Sequence, residues 1–243
     1  MSGPVVQLGA FAANAFTHGP AEIGEMSCSF AAGGWDPSRW AEVRSVRWNY
    51  ENPFLQMDGH IMNRCPIGLT DAELYTDHVY EVYSSMVYTK RFAAKAEISA
   101  TMAFDHLMAP LIVLAPAIYR DDAGHPSYRE HVEIVLFNEG FNVWRYLWKD
   151  NTPCWRKVAF LRRPMRPKTP YEVKVTLERR SGTKELTVSC GGTSFGYADD
   201  LLPETFFVGL TGCEGRCRFY DFKVKAGLPE LSDAAAALAD GEH

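Results

Sequence analysis

Alternating side chains in residues 127–149 constrain the fold of this chain more than any other stretch. In the first half of this stretch, three apolar side chains fall on one face of a β-strand and three ionisable side chains on the other, because strand side chains alternate with a period of two. The apolar three are Val132, Ile134 and Leu136, and the ionisable three are Arg129, His131 and Glu133. The pattern predicts a strand with one face in the core.

A second alternating run follows this strand. The turn-forming sequence Asn-Glu-Gly at residues 138–140 separates the two runs, so we expect a β-hairpin. The second strand places four polar and aromatic side chains on one side, namely Asn142, Trp144, Tyr146 and Trp148. Charged groups beside indole rings are typical of sugar-binding surfaces, since the charged groups bond hydroxyls and the rings cover apolar sugar faces. The alternative is that the charged face is the solvated face of an antiparallel sheet.

Strand patterns recur along the rest of the chain. Residues 94–104 alternate between apolar and polar types, and residues 107–119 are almost continuously apolar, which predicts a strand covered on both faces. Further hairpins are predicted about Asp58-Gly59 and Ser181-Gly182. Because short strands and turns dominate and no long helical period occurs, the sequence predicts an all-β sandwich of two antiparallel sheets.

Composition divides the chain into three parts. Residues 1–26 show no sustained period and are expected to form an irregular arm. Residues 27–225 form a single β-sandwich domain in this interpretation, since 243 residues with 47% apolar content can bury a full core. Residues 226–243, rich in Ala, Asp and Glu, are expected to be disordered or a frayed helix.

Charge and cysteine content limit the partners. A net charge of −5 and a pI near 5.8 argue against nucleic acid and anionic membranes. No convincing secretory signal precedes the domain, so a cytoplasmic location is expected. We expect no cofactor, and the oligomeric state is open. The six cysteines lack paired metal-binding spacing, and Cys213 with Cys217 are compatible with either a disulfide or two thiols.

A family resemblance emerges from the order of these elements. The ending FFVGLTG at residues 206–212, followed by RFYDFKVK at residues 218–225, resembles the last two strands of concanavalin A-like lectins and glucanases. The resemblance covers roughly residues 54–224 and implies a jelly-roll sandwich. Laminarinase-like members carry Glu-x-Asp-x-x-Glu or Glu-x-Asp-x-Glu on one strand, whereas the corresponding face here reads Arg129, His131, Glu133. Only the last acidic position is kept, so the two-carboxylate retaining mechanism is not carried across. The Arg, Gln-x-His and Tyr motifs of the alginate-lyase members are not matched as a set.

The sequence favours a carbohydrate-active enzyme, a glycoside hydrolase or polysaccharide lyase, that binds a saccharide across the concave sheet face. In a hydrolase, Glu133 would be the general acid or base, His131 its partner, and Arg129 an anchor for an oxygen or carboxylate. In a lyase, Arg129 or Lys90 would neutralise a uronate carboxylate, and His131 or Tyr88 would take the proton. The predicted substrate-binding residues are Trp144, Asn142, Trp148, Tyr88, Lys90 and His60.

Three alternatives remain open from the sequence. A lectin-like carbohydrate-binding module would use the same surface without turnover. A metal-dependent site would combine His131, Glu133 and His60 in a two-histidine, one-carboxylate arrangement. A structural interaction domain is the default if the charged face proves to be solvated.

Overall fold

A computed structural model describes residues 6–7, 21, 23–44, 53–63, 83–105, 109–150, 152–213 and 215–227. The first ten strands are β1 (Val6–Gln7), β2 (Gly24–Ser29), β3 (Trp40–Glu42), β4 (Phe54–Gln56), β5 (Ile61–Asn63), β6 (Tyr83–Tyr88), β7 (Phe92–Ala93), β8 (Ala96–Phe104), β9 (Ala109–Ala115) and β10 (Tyr119–Arg120). The others are β11 (Pro126–Ser127), β12 (His131–Phe137), β13 (Gly140–Lys149), β14 (Thr152–Arg162), β15 (Tyr171–Arg180), β16 (Thr183–Cys190), β17 (Thr193–Ala198), β18 (Thr205–Cys213) and β19 (Cys217–Ala226). A short 3-10 helix spans Pro37–Arg39.

Two large antiparallel sheets contain nearly all of these strands. The nine-stranded sheet has the order β1-β4-β5-β19-β8-β15-β16-β17, with β2 also paired to β19. The eight-stranded sheet has the order β14-β13-β12-β9-β18-β6-β3, with β7 also paired to β18. Strands β10 and β11 form a separate small ribbon. The predicted all-β sandwich is therefore confirmed.

One hydrophobic core fills the space between the two sheets. From β12 it receives the alternating side chains Val132, Ile134 and Leu136, and from β8 of the facing sheet it receives residues such as Ile98 and Met102. These side chains are almost fully buried, as the alternation in both segments predicts. Burial of apolar area on this scale is the main force that holds the sheets together.

A second apolar cluster covers the other face of the eight-stranded sheet. It contains Val113 of β9, Val87 of β6, Val135 of β12 and Phe207 of β18, together with Tyr128 from the segment ahead of β12. The middle strands of this sheet are therefore buried on both faces, which explains the uninterrupted apolar run that forms β9.

The predicted hairpins form, with two corrections of detail. The turn between β12 and β13 is the two-residue loop 138–139, since Phe137 already pairs with Gly140. In the last strand, simple alternation predicts that Phe219 and Phe222 lie on opposite faces. The register of β19 shifts, however, between Phe219 and Asp221. Because a β-bulge adds one residue, Phe219 and Phe222 both reach the core.

The ends of the chain lie mostly outside the described residues, as does most of the predicted arm at residues 1–26. Its described parts include β1, which pairs with β4, and the start of β2, which pairs with β19. The predicted tail is described only as far as residue 227. Cys213 and Cys217 are not joined in a disulfide, so of the two predicted states they adopt the thiol form. Within the described residues, no helix is long and apolar enough to cross a membrane.

Candidate functional site

The outer face of β12 and β13 carries the polar and aromatic side chains that the sequence singled out. Directly opposite residues of an antiparallel pair share a face. In the register of β12 and β13, His131 is paired with Tyr146, Glu133 with Trp144, and Val135 with Asn142. All of these side chains therefore lie on the sheet face that points away from the core, as the alternation predicted.

His131 and Glu133 form a buried pair on this face. His131 Nε2 lies 3.2 Å from Glu133 Oε1, and the two side chains are only 7% and 9% exposed. The alternative of a solvated charged face is therefore wrong. A buried carboxylate is tolerated when it has a hydrogen-bond partner, and the imidazole supplies one.

Two tyrosine rings hold the His131 imidazole in place. The ring of Tyr146 stacks on it with centroids 4.3 Å apart and an angle of 12° between the planes. The ring of Tyr128 packs against it at 5.1 Å and 38°. His131 Nδ1 is buried without a hydrogen-bond partner among the described residues, and so is Asn142 Oδ1 on the same face. Each of these atoms is a buried polar group whose hydrogen-bonding capacity the described residues leave unsatisfied.

Hydroxyl groups continue the polar part of the face across β6 and β18. The hydroxyl of Ser85 lies 3.3 Å from that of Tyr128 and 2.7 Å from that of Thr211, which also bonds Tyr83. Burial raises the pKa of Tyr128, and burial followed by the charge of Glu133 raises the pKa of Tyr83 well above its ordinary value. Both phenols therefore keep their protons at neutral pH.

An aromatic surface extends from this buried pair to solvent along β13 and β14. We define it by Trp144 and Tyr146 of β13 with Trp155 and Phe160 of β14. Tyr146 stacks on Trp155 with ring centroids 6.2 Å apart and 22° between planes. Trp155 is 54% exposed and Phe160 is 39% exposed, whereas His131 beside Tyr146 is buried. Exposure therefore increases from β12 to the edge strand β14.

A β-bulge brings the members of β14 onto one face. The register pairs Val143 with Ala159 and then Trp144 with Lys157, so Val158 has no partner of its own. Because the bulge shifts the alternation by one residue, Lys157 and Phe160 share a face. The Lys157 ammonium lies 5.8 Å from the ring centroid of Trp144 and 4.9 Å from that of Phe160. Sequence reasoning missed this strand as part of the site.

Arg129 occupies a different position from the one predicted. It lies in a bend ahead of β12 and does not continue the row of His131 and Glu133 along that strand. Its guanidinium lies 4.8 Å from the Trp148 ring centroid and 5.7 Å from that of Tyr119. Trp148 Nε1 donates a hydrogen bond to the Arg129 carbonyl oxygen at 2.9 Å. Arg129 and Trp148 therefore form a stacked pair beyond the end of the His131 row.

The two predicted binding residues from the β6 region differ in their surroundings. Tyr88 is 1% exposed and points into the core between the sheets, where it contacts Trp40 and stacks on Phe92. Its assignment to the sugar-binding face, or to proton removal on that face, is therefore wrong. Lys90 is exposed in the bend that follows β6.

His60 lies on the other sheet. It sits in the turn between β4 and β5, with its ring 5.3 Å from that of Tyr220. The described residues contain no group of three His, Cys, Asp or Glu side chains able to hold a metal ion. Because His60 belongs to the nine-stranded sheet while His131 and Glu133 belong to the eight-stranded sheet, the predicted three-ligand metal site is wrong.

Solved structures share this architecture at very low sequence identity. One is a carbohydrate-binding module, CBM66, from Bacillus subtilis, with 8% identity, 77% of this chain and 96% of that chain covered, and a TM-score of 0.51. Another is an immunostimulatory antigen and pseudo beta-1,3-glucanase of Mycobacterium tuberculosis, with 12% identity, 83% and 98% covered, and a TM-score of 0.51. A third is a beta-porphyranase from the human gut bacterium Bacteroides plebeius, with 8% identity, 85% and 94% covered, and a TM-score of 0.51.

These likenesses show the fold. The sandwich has the concanavalin A-like jelly-roll architecture that the resemblance in residues 206–225 implied, so that expectation is confirmed. No family model matches the chain, and no curated protein matches it in sequence.

Proposed function

We propose that this chain binds a saccharide on the outer face of β12, β13 and β14. The observation that carries the proposal is the row of rings that runs from the buried pair to solvent: His131, then Tyr146, then the exposed Trp155. Aromatic rings cover the apolar faces of sugars, and unpaired polar atoms beside them bond hydroxyls. His131 Nδ1 and Asn142 Oδ1, which are buried and without a partner among the described residues, lie on this same face.

Two solved structures with this fold support a saccharide as the ligand. A carbohydrate-binding module and a beta-porphyranase are among the solved structures with the same fold. Fold alone does not determine function, so the proposal depends on the side chains of the face.

Catalysis at Glu133 is a second candidate function. The observation that favours it is the 3.2 Å contact between His131 and Glu133 in a buried setting, an arrangement that suits general acid or base chemistry. Among the described strand residues of this face, however, Glu133 supplies the one carboxylate. A retaining or inverting glycosidase uses two carboxyl groups that flank the scissile bond, so binding is the better supported function.

A glycan panel separates these functions. Wild type and the variants Trp155→Ala, Glu133→Gln and Ile23→Ala would be titrated calorimetrically, and products followed by reducing ends and by the absorbance of unsaturated uronates. We expect Trp155→Ala to weaken binding by about tenfold, since stacking of a ring contributes about 1–1.5 kcal/mol. Ile23 is 77% exposed and adjoins β2 of the other sheet, so its truncation is the matched control.

The outcomes are distinct. Binding that is lost in Trp155→Ala and kept in Ile23→Ala supports the proposal. If wild type forms product while Glu133→Gln binds the glycan without forming product, the face is also catalytic and Glu133 takes part in the reaction. Equal glycan affinity in wild type and Trp155→Ala, or no glycan binding by wild type, refutes the proposed surface.

A further inference from the structure

We infer that the saccharide bound on this face is anionic and that Lys157 binds its carboxylate or sulfate groups. This inference rests on the proposed function and specifies the class of ligand. It starts from the position of Lys157, which lies on the edge strand β14 between Trp155 and Phe160 and shares their face. A cation is therefore built into the surface that would stack against sugar rings.

Among the described residues, Lys157 has ring contacts but no hydrogen-bond acceptor. The ammonium group lies over the rings of Trp144 and Phe160, and it forms no ion pair with a carboxylate of the described residues. A ring face attracts the positive charge but accepts no conventional hydrogen bond, and an ammonium group has three donors. These donors remain available to an oxygen anion of a ligand.

Three other lysines of the described residues are neutralised by carboxylates within the protein. Lys223 lies 2.6 Å from a carboxylate oxygen of Glu25, and Lys174 lies 3.1 Å from one of Glu172. Lys184 likewise lies 3.2 Å from a carboxylate oxygen of Glu204. Lys157 thus differs from these lysines in being held by aromatic rings instead of an acid.

The charge of the face also suits an anion. Its one described strand carboxylate, Glu133, is buried against His131, so it is withdrawn from the accessible surface. Arg129 adds a second cation where it stacks on Trp148. Because the whole chain has a net charge of −5, an acidic saccharide is repelled elsewhere and attracted locally. The local cations therefore give selectivity as well as affinity.

Matched pairs of glycans test this inference. Each acidic glycan is offered beside its neutral counterpart: polygalacturonate fragments with their carboxyl-reduced form, and carboxyl-reduced chondroitin sulfate fragments with the desulfated form of the same fragments. Calorimetric titration would compare wild type, Lys157→Gln, Trp155→Ala and Lys174→Gln. Lys174 is the matched control, because it is an exposed lysine on the nine-stranded sheet.

We expect wild type to bind an acidic member about fivefold more tightly than its neutral counterpart, as one exposed ion pair allows. Lys157→Gln removes this preference, whereas Lys174→Gln keeps it. Added salt weakens acidic binding in wild type more than in Lys157→Gln, since screening acts on the ion pair. The pair that responds tells carboxylate from sulfate recognition.

Three results would overturn the inference. Equal or tighter binding of neutral members, with loss of binding in Trp155→Ala, rejects the anionic ligand while the proposed function stands. If Lys157→Gln still binds the acidic glycan more tightly than its neutral counterpart, Lys157 is not the group that binds the anion. Absence of binding to every member of the panel rejects the proposed function, and the inference with it.

Discussion

Gly209 and Tyr128 provide a quantitative test of how the outer face of the eight-stranded sheet is packed. The Tyr128 hydroxyl sits directly over Gly209 of β18, so a Cβ atom there would overlap that oxygen. The same Cβ would also lie 3.2 Å from Tyr128 Cζ and 3.0 Å from the Met86 carbonyl oxygen. Gly209→Ala therefore displaces the tyrosine ring that packs against His131.

The cost of this displacement follows from overpacking and a lost bond. Forcing an extra methyl group into a packed face costs about 1–3 kcal/mol, and the displaced phenol also gives up its 3.3 Å contact with Ser85. We expect Gly209→Ala to lower the free energy of unfolding by about 2 kcal/mol. For a chain of this size that corresponds to a Tm lower by about 4–8 °C.

Urea unfolding of four proteins measures the effect: wild type, Gly209→Ala, Tyr128→Phe and the double variant. Tyr128→Phe removes the overlapping oxygen, so the Gly209→Ala change costs less in its presence. We expect the loss of unfolding free energy in the double variant to be smaller, by at least about 1 kcal/mol, than the sum of the losses in the two single variants. Full stability of Gly209→Ala, or strictly additive effects in the double variant, would refute the close packing of Tyr128 on β18.

Further predictions concern the buried amide, a histidine and two glycines. Asn63 is fully buried and accepts a 2.6 Å hydrogen bond from the Cys217 amide, so Asn63→Ala should cost about 2–3 kcal/mol in urea unfolding; a change below 1 kcal/mol would contradict this. Burial, and then a neighbouring arginine, lower the pKa of His60, so the unfolded chain binds the proton first and stability should fall as pH drops below the ordinary value of 6.5. In urea unfolding above and below that pH, the free energy of unfolding should fall less in His60→Gln than in wild type. An equal fall in both would exclude His60 as a source of the pH dependence. At Gly140, φ is +144° and a Cβ would overlap a carbonyl of β14, so Gly140→Ala should cost about 2–5 kcal/mol in thermal unfolding. Gly182→Ala, with φ +86° and no neighbouring atom within 4 Å, should cost only about 1 kcal/mol, and the reverse order would be inconsistent with these turns.

Local alternation was enough to predict the central hairpin. Val132 and Ile134 reach the core while His131 and Glu133 take the other face, because a period of two is fixed by strand geometry alone. The local pattern did not determine whether the second face is exposed to solvent. That depends on what packs over the sheet, as Tyr128 does over His131, and such contacts are set by the tertiary fold.

The bulge at Val158 explains why the aromatic surface was missed. Simple alternation places Phe160 on the opposite face from Trp155 and Lys157, because their positions differ by odd numbers. One unpaired residue between β13 and β14 reverses this parity. No residue type in the segment signals the bulge, so only the observed register reveals the shared face.

Tyr88 and His60 were misplaced for two different reasons. Every residue of β6 is buried, so its sequence does not indicate which parity faces the core, and Tyr88 takes the inner side opposite Trp40. For His60 the local turn was predicted, but the sheet to which β4 and β5 belong is decided by the pairing of β5 with β19, far away in sequence. Long-range pairing of this kind has no local signal.

Unequal burial of the tryptophans gives the chain its own optical reporter. Trp35 and Trp40 are 7% and 1% exposed, so their indoles are shielded from an aqueous quencher such as iodide, whereas Trp155 is 54% exposed. The part of the iodide quenching that disappears in Trp155→Phe belongs to this one side chain. A ligand that covers the ring shields it from iodide, so the loss of this part of the quenching follows occupancy of β14 in the unlabelled protein.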